Sequence, residues 1–327
     1  MSVTFSGAFT FSGGGFTATL APPAGPTAGW YAGGSIGPPT YAQLSTVDRI
    51  TYATDTATAS VRGPLSVVTA AQSSTGTLTQ GWFGGGYNPG GTMSTVQRIT
   101  YATDTATASV RGPLDSINNY LGATSDQTTY GWFGGGYANY LEKSGVARIT
   151  YATDTATASL RGPLSYSQTR MGTIGNTTAG WFAGGSNGNT GGSPNSGIQR
   201  ITYASDTATA SVRGPLAVIV RFSAGAGTST QGWIAGRNDE STNTNVQRIT
   251  YATDTATASV RGPLSVNVYF MSASTDDTTY GWWGGGIPSP NVSTVQRITY
   301  ATDTVTASVM GPLSLGKANL SATSGQQ

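Results

Sequence analysis

The chain carries no histidine and no cysteine, so any chemistry must come from carboxylates, guanidinium groups, phenols and indoles. That removes the Ser-His-Asp triad, histidine general bases, thiolate nucleophiles, disulfides and zinc sites of Cys/His type. Seventeen of the thirty charged side chains recur at fixed spacing. One series is Arg49, Arg98, Arg148, Arg200, Arg248 and Arg297. A second is Arg62, Arg111, Arg161, Arg213 and Arg261, with Met310 in the sixth place. The third is Asp55, Asp104, Asp154, Asp206, Asp254 and Asp303. A ring of arginines gripping one anion is the functional reading. The plainer reading has Arg and Asp pairing within or between repeats, or lying in solvent, where an exposed pair contributes about 0–1 kcal/mol. We prefer the plainer reading, because a binding site seldom needs six identical copies whereas a repeated packing solution does.

The acids outside the series are Asp48, Asp115, Asp126, Glu142, Asp239, Glu240, Asp276 and Asp277. Glycoside hydrolysis needs two carboxylates at a set separation, and nothing in this spacing singles out a pair. The stretches 125–132 and 274–282 come nearest to the Ser-x-Asp-x-Gly-x-Thr-Trp turn of sialidases, and neither matches it. No Asp-x-Asp-x-Asp-Gly loop offers a calcium site, and no Gly-Lys-Ser/Thr follows the glycine runs to make a phosphate cradle. The expectation is therefore no enzyme, no cofactor and no metal. Trp30, Trp82, Trp132, Trp181, Trp233 and Trp282 could be sugar-stacking platforms. One per repeat, each followed by glycine or alanine within two residues, they are read instead as interior, each burying on the order of 150–250 Å².

These residues sit on a repeat. The tryptophans are 52, 50, 49, 52 and 49 residues apart, and Gly-Pro-Leu triplets starting at Gly63, Gly112, Gly162, Gly214, Gly262 and Gly311 keep the same beat. Six units of about 50 residues account for nearly the whole chain. In one unit, a short run at 67–71 (Val-Val-Thr-Ala-Ala) leads to a Ser/Thr/Gly turn. An aromatic segment with a glycine run follows at 81–86. A variable loop leads to an alternating segment at 96–101, a turn at 102–105 whose Asp can hydrogen-bond the backbone ahead of it, and a last segment at 106–111. No helical period persists, and Thr, Ser and Gly dominate. The fold class expected is all-β: a six-bladed β-propeller with four antiparallel strands per blade. Because a blade packs both faces against neighbours, Trp82 and Phe83, which point to opposite faces, are both apolar.

The net charge of +2 is too small for a protein that holds nucleic acid by neutralising phosphates. No apolar run approaches the roughly 18 residues of a membrane span, so no membrane insertion is expected. Residues 1–15 lack Lys, Arg and a continuous apolar stretch, so no secretory signal is expected there. Without cysteine, stability does not depend on redox state.

The order of short strand, aromatic strand ending in glycines, tyrosine-bearing strand and outer strand ending in Pro resembles the kelch repeat, without its outer-strand tryptophan. The Tyr-Gly-Trp-Phe-Gly-Gly-Gly and Val-Gln-Arg-Ile-Thr-Tyr-Ala-Thr-Asp-Thr-Ala-Thr-Ala-Ser-Val-Arg-Gly-Pro-Leu segments are similar to kelch-like repeats in virion proteins of marine tailed phages of the cyanophage type. This resemblance implies a non-enzymatic structural protein on the tail or head of a virion, present in multiple copies, assembled in the host cytoplasm and contacting other virion proteins and a host-surface receptor or glycan. A bacterial propeller lectin or surface interaction module is the alternative; a glycosidase-type propeller is a further one.

Two segments could supply the innermost strand of the first blade: 15–20 and 318–323. The C-terminal one is taken to close the ring, which would free the chain up to about residue 27 as an anchor. Residues 1–14 are read as an extension and 15–327 as the propeller. The loops at 35–46, 87–95, 137–145, 186–197, 237–245 and 287–294, and the connections after each Gly-Pro-Leu, vary in length and chemistry between near-identical strands. Both sets open on one face of a propeller, as binding loops on a rigid scaffold do. The partner-binding residues expected there are Tyr41, Tyr87, Asn88, Tyr137, Tyr140, Arg237, Asn238 and Tyr269, residue types common in adaptable paratopes. Neutral drift of exposed loops is the plainer account.

Overall fold

The computed structural model describes residues 10–12, 15–17, 25–38, 40–187, 193–237, 244–287 and 291–324. They build six four-stranded antiparallel sheets arranged as a propeller, with only single-turn 3-10 segments as helix. From the inside outwards, blade 2 runs Ser73–Gly76, Gln80–Gly84, Val96–Thr100 and Ser109–Arg111. Blades 3 to 6 repeat this order with inner strands Gly122–Ser125, Gly172–Gly175, Arg221–Gly227 and Ser272–Thr275. Blade 1 is split. Its second to fourth strands are Ala28–Ala32, Val47–Thr51 and Ser60–Arg62, but its inner strand is Ser321–Thr323, paired with Trp30–Ala32. Gly15–Thr17 pairs with Thr10–Ser12 in a separate two-stranded sheet and not with the Trp30 strand.

Each sheet is pressed between two others, so both faces need buried side chains. Trp82, opposite Arg98 in register, faces blade 3; Phe83, opposite Gln97, faces blade 1. Six apolar clusters result, one at each blade interface. The innermost strand is not the apolar run 67–71. It is Ser73–Gly76, the stretch read as a turn. The reason is geometric: six inner strands crowd about one axis, and small side chains predominate there, with Ile174 in blade 4 and Arg221 and Phe222 in blade 5 as the larger ones. A Cβ on Gly76 would come within 2.9 Å of the Thr323 hydroxyl. The outer strand is likewise shorter than expected, Ser109–Arg111, and Tyr101 belongs to the 3-10 turn Tyr101–Thr103.

Candidate binding face

One face of the disc repeats a single constellation. Asp104 does not cap its own turn. Its carboxylate accepts the Trp30 indole N–H at 2.9 Å and the Arg49 guanidinium at 3.1 Å, with Arg62 at 3.5 Å, all from the preceding blade. The same pairing joins Trp82, Arg98 and Arg111 to Asp154, and Trp132, Arg148 and Arg161 to Asp206. It continues to Asp254 and Asp303 and closes the circle where Trp282 and Arg297 reach Asp55. Each tryptophan also stacks on the tyrosine of the next blade's turn, for example Trp30 on Tyr101 at 3.8 Å. Those tyrosine hydroxyls are pushed up by burial. The Trp and Asp series are thus buried, the Arg series part-buried, and together they join blades. Among the described residues no cluster of three acidic side chains forms that could hold a metal ion.

The opposite face carries the variable segments. Tyr41 and Tyr140 project into solvent, 63% and 77% exposed, from backbone with φ of 47° and 62°. Tyr87 and Asn88 lie on a two-residue strand paired with Gly91–Thr92, and the Asn88 side chain accepts the Gly90 N–H at 2.8 Å. Tyr137 opens the equivalent hairpin in blade 3. Tyr87, Tyr137 and Ile287 form bridges to Ala70, Asn119 and Tyr269 on the connections that enter the inner strands. Arg237 ends a strand in register with Arg221 and Thr244. Asn238 lies outside the described residues. The structure therefore gathers Tyr87, Tyr137 and Tyr269 around the axis, while Tyr41 and Tyr140 stand at the periphery as separate projections.

At the axis lies a set of residues absent from the expected list. Ala71, Tyr120, Arg170, Phe222, Phe270 and Asn319 occupy equivalent places at the entry to the six inner strands, Phe222 within the longer strand of blade 5, and all have φ between 50° and 58°. Bulky side chains in this left-handed region are genuine outliers. What holds them is a closed circle of backbone hydrogen bonds. Ala71 donates to Asn319, Tyr120 to Ala71, Arg170 to Tyr120, Phe270 to Phe222 and Asn319 to Phe270, while Ser223 donates to Arg170 at 3.5 Å. The side chains line a small cavity of about 70 Å³. Its aromatic wall includes Phe222 against Phe270 at 3.9 Å and Tyr120 near Phe270 at 6.0 Å. The Arg170 guanidinium lies over Tyr120 at 4.9 Å and Phe222 at 5.4 Å. The available signal was variation at a fixed place: the variable triplets 118–120 and 168–170 each end on an axial residue. In blade 6 the choice of Tyr269 fell one residue short of Phe270.

The chain matches no protein-family model and no curated protein.

Proposed function

We propose that the protein is a non-enzymatic binding module that engages its partner through the loop face. The observation that carries this reading is the asymmetry of variation. One face holds the Trp–Asp–Arg–Tyr set six times over. The other keeps one axial backbone geometry yet fills it with Ala, Tyr, Arg, Phe, Phe and Asn. Loop variation on a fixed frame is how recognition is commonly arranged. Drift alone would place small or αL-tolerant residues at positions with positive φ, whereas three of the six are aromatic.

The chain's resemblance to kelch-like virion repeats supplies the setting of this proposal: an appendage of a phage particle, touching a host-surface receptor or glycan, with the uniform face or the N-terminal hairpin turned towards other virion proteins. The six repeat carboxylates are each engaged by an indole and at least one arginine, which supports a structural use of the charges over a catalytic one. The test is adsorption of the fluorescently labelled chain to intact bacterial cells. Replacing Tyr87, Tyr137 and Tyr140 together by Ala is expected to weaken adsorption about tenfold or more, as loss of clustered aromatic contacts does. Unchanged adsorption would count against the loop face. Antibody labelling of purified particles distinguishes a virion protein from a bacterial surface module.

A further inference from the structure

We infer that the groove between blades 4 and 5 on the uniform face, with its counterpart between blades 1 and 2, is a site for a phenol ring: the side chain of a tyrosine in a partner polypeptide. The site lies on the face opposite the variable loops and does not depend on what those loops bind.

One strand position departs from the sixfold pattern and follows a threefold one. The residue two places before each repeat tryptophan is Ala28, Gln80, Tyr130, Ala179, Gln231 and Tyr280, so blades 1 to 3 and blades 4 to 6 read Ala, Gln, Tyr in the same order. Each stands opposite a threonine of the third strand. Each also lies on the same side of its strand as the tryptophan. In blades 3 and 6 the phenol covers the repeat arginine. The Arg148 guanidinium lies 4.0 Å from the Tyr130 ring centre, and Arg297 lies 4.4 Å from that of Tyr280. Each of these tyrosines also meets the indole of its own blade edge-on, at 5.8 Å and 5.7 Å. In blades 1 and 4 alanine leaves that place open.

The opening between blades 4 and 5 measures about 490 Å³ and that between blades 1 and 2 about 370 Å³, both within the range of small-ligand sites. Ala179, Trp181 and Arg200 line the first, with Tyr251 of blade 5 stacked on the indole. Ala28, Trp30, Arg49 and Tyr101 line the second. Thr202, opposite Ala179, is exposed, whereas Thr150 and Thr299, opposite the two tyrosines, are half-buried. Among the described residues no ring covers Arg200 or Arg49. Asp254 holds the Arg200 guanidinium in place at 2.9 Å. A cation fixed in this way attracts the negative face of an aromatic ring, and the chain itself supplies such a ring at the equivalent place in blades 3 and 6. An aliphatic side chain fills the space without that attraction. A carboxylate meets a guanidinium whose charge Asp254 already neutralises. Thr178, Thr202 and Ser229 also line the groove, and their hydroxyls suit the amide groups of a chain that carries the ring.

The full chain is titrated calorimetrically with N-acetyl-tyrosinamide, N-acetyl-leucinamide and 4-methylphenol. The tyrosine amide is expected to bind saturably, at least about tenfold more tightly than the leucine amide and about threefold more tightly than 4-methylphenol. Ala28→Tyr with Ala179→Tyr, which copies blades 3 and 6, is expected to abolish that binding and to raise the melting temperature. Ala179→Tyr alone should halve the number of sites. Ala28→Gln with Ala179→Gln, which copies blades 2 and 5, is the smaller obstruction and should weaken binding about threefold or more. Absence of saturable binding, equal binding of the leucine amide, or unaltered binding by the tyrosine pair would each overturn the site. If the tyrosine pair does not fold, unaltered binding by the glutamine pair overturns it instead. Equal binding of 4-methylphenol would overturn the assignment to a polypeptide. Adsorption to cells through the loop face should be the same in wild type and in both pairs; a loss there would mean that the groove is not a separate site.

Discussion

Burial, with the adjacent Asp276 second, pushes the Asp277 carboxyl up from 3.8 to about 7. It sits at φ 69° in the turn between the first two strands of blade 6, where blade 3 has Gln127 at φ 71°. Asp276 beside it accepts the N–H groups of Thr278, Thr279 and Tyr280, the job that Asp126 does in blade 3. The Tyr251 and Tyr300 hydroxyls face the same turn and have raised pKa values themselves. Because the folded state holds the Asp277 proton more tightly than the unfolded chain, stability falls as pH rises from about 4 to about 7 and stays lower above that. Asp277→Asn removes this loss and tolerates the left-handed backbone. Urea titrations should find the variant more stable than wild type by on the order of 1 kcal/mol at pH 8, with the gain gone by pH 4. A gain independent of pH would show that the carboxyl's protonation is not its source.

At the scale of the strand, the decisive feature is the exit from the aromatic strand. In five blades a glycine pair with positive φ turns the chain: Gly33 and Gly34, Gly85 and Gly86, Gly135 and Gly136, Gly184 and Gly185, Gly285 and Gly286. The second glycine of each pair donates its N–H to the connection of the next blade, as Gly136 does to the Gln168 carbonyl at 2.8 Å. Blade 5 reads Ile-Ala-Gly-Arg instead, and there the strand simply continues to Arg237, with a register shift between Arg221 and Ala224. A Cβ at Gly135 would run into the Gln168 carbonyl oxygen while φ stays at 66°. Gly135→Ala should therefore cost about 1–3 kcal/mol by denaturant unfolding. A cost near zero would mean that this turn relaxes freely and does not position Tyr137 or the connection bearing Arg170.

For the whole molecule, the weak place is the joint between the two ends of the chain. In four other blades a buried glutamine clamps the connection that enters its own blade, while blade 3 has Ala147 there: Gln97 accepts the Val67 N–H at 2.8 Å, and in blade 4 Gln199 donates to Gln168 at 2.7 Å. In blade 1 those two places hold Asp48 and Lys317, both fully buried and 3.0 Å apart. Lys317 also donates to the carbonyls of Tyr31 at 3.0 Å and Thr46 at 3.3 Å. Burial lowers the Lys317 pKa, and Asp48 opposes the shift. Removing one partner strands a charge, so Lys317→Met should cost about 3–5 kcal/mol. The double change Asp48→Gln with Lys317→Gln imports the neutral clamp of blade 4 and should recover most of that loss. Thermal melts of the two variants check it. A double variant as unstable as the single one would mean that the charges specify ring closure in a way the amides do not.

The period of about 50 residues, the four strands per unit and the double-sided apolar faces of Trp82 and Phe83 were legible from the sequence, because they are local patterns copied six times. The loop face was legible for the same reason, as the part that failed to copy. Three things were decided only by the closed ring. The inner strands turned out to be the Ser/Thr/Gly stretches, since crowding at an axis is a property of six sheets together and leaves no hydrophobic pattern in any one of them. The repeat aspartates turned out to join blades, since their partners lie more than 40 residues away in sequence. And Tyr120, Arg170, Phe222, Phe270 and Asn319 became one cavity only because a circle of backbone hydrogen bonds brings six separate connections to a common centre.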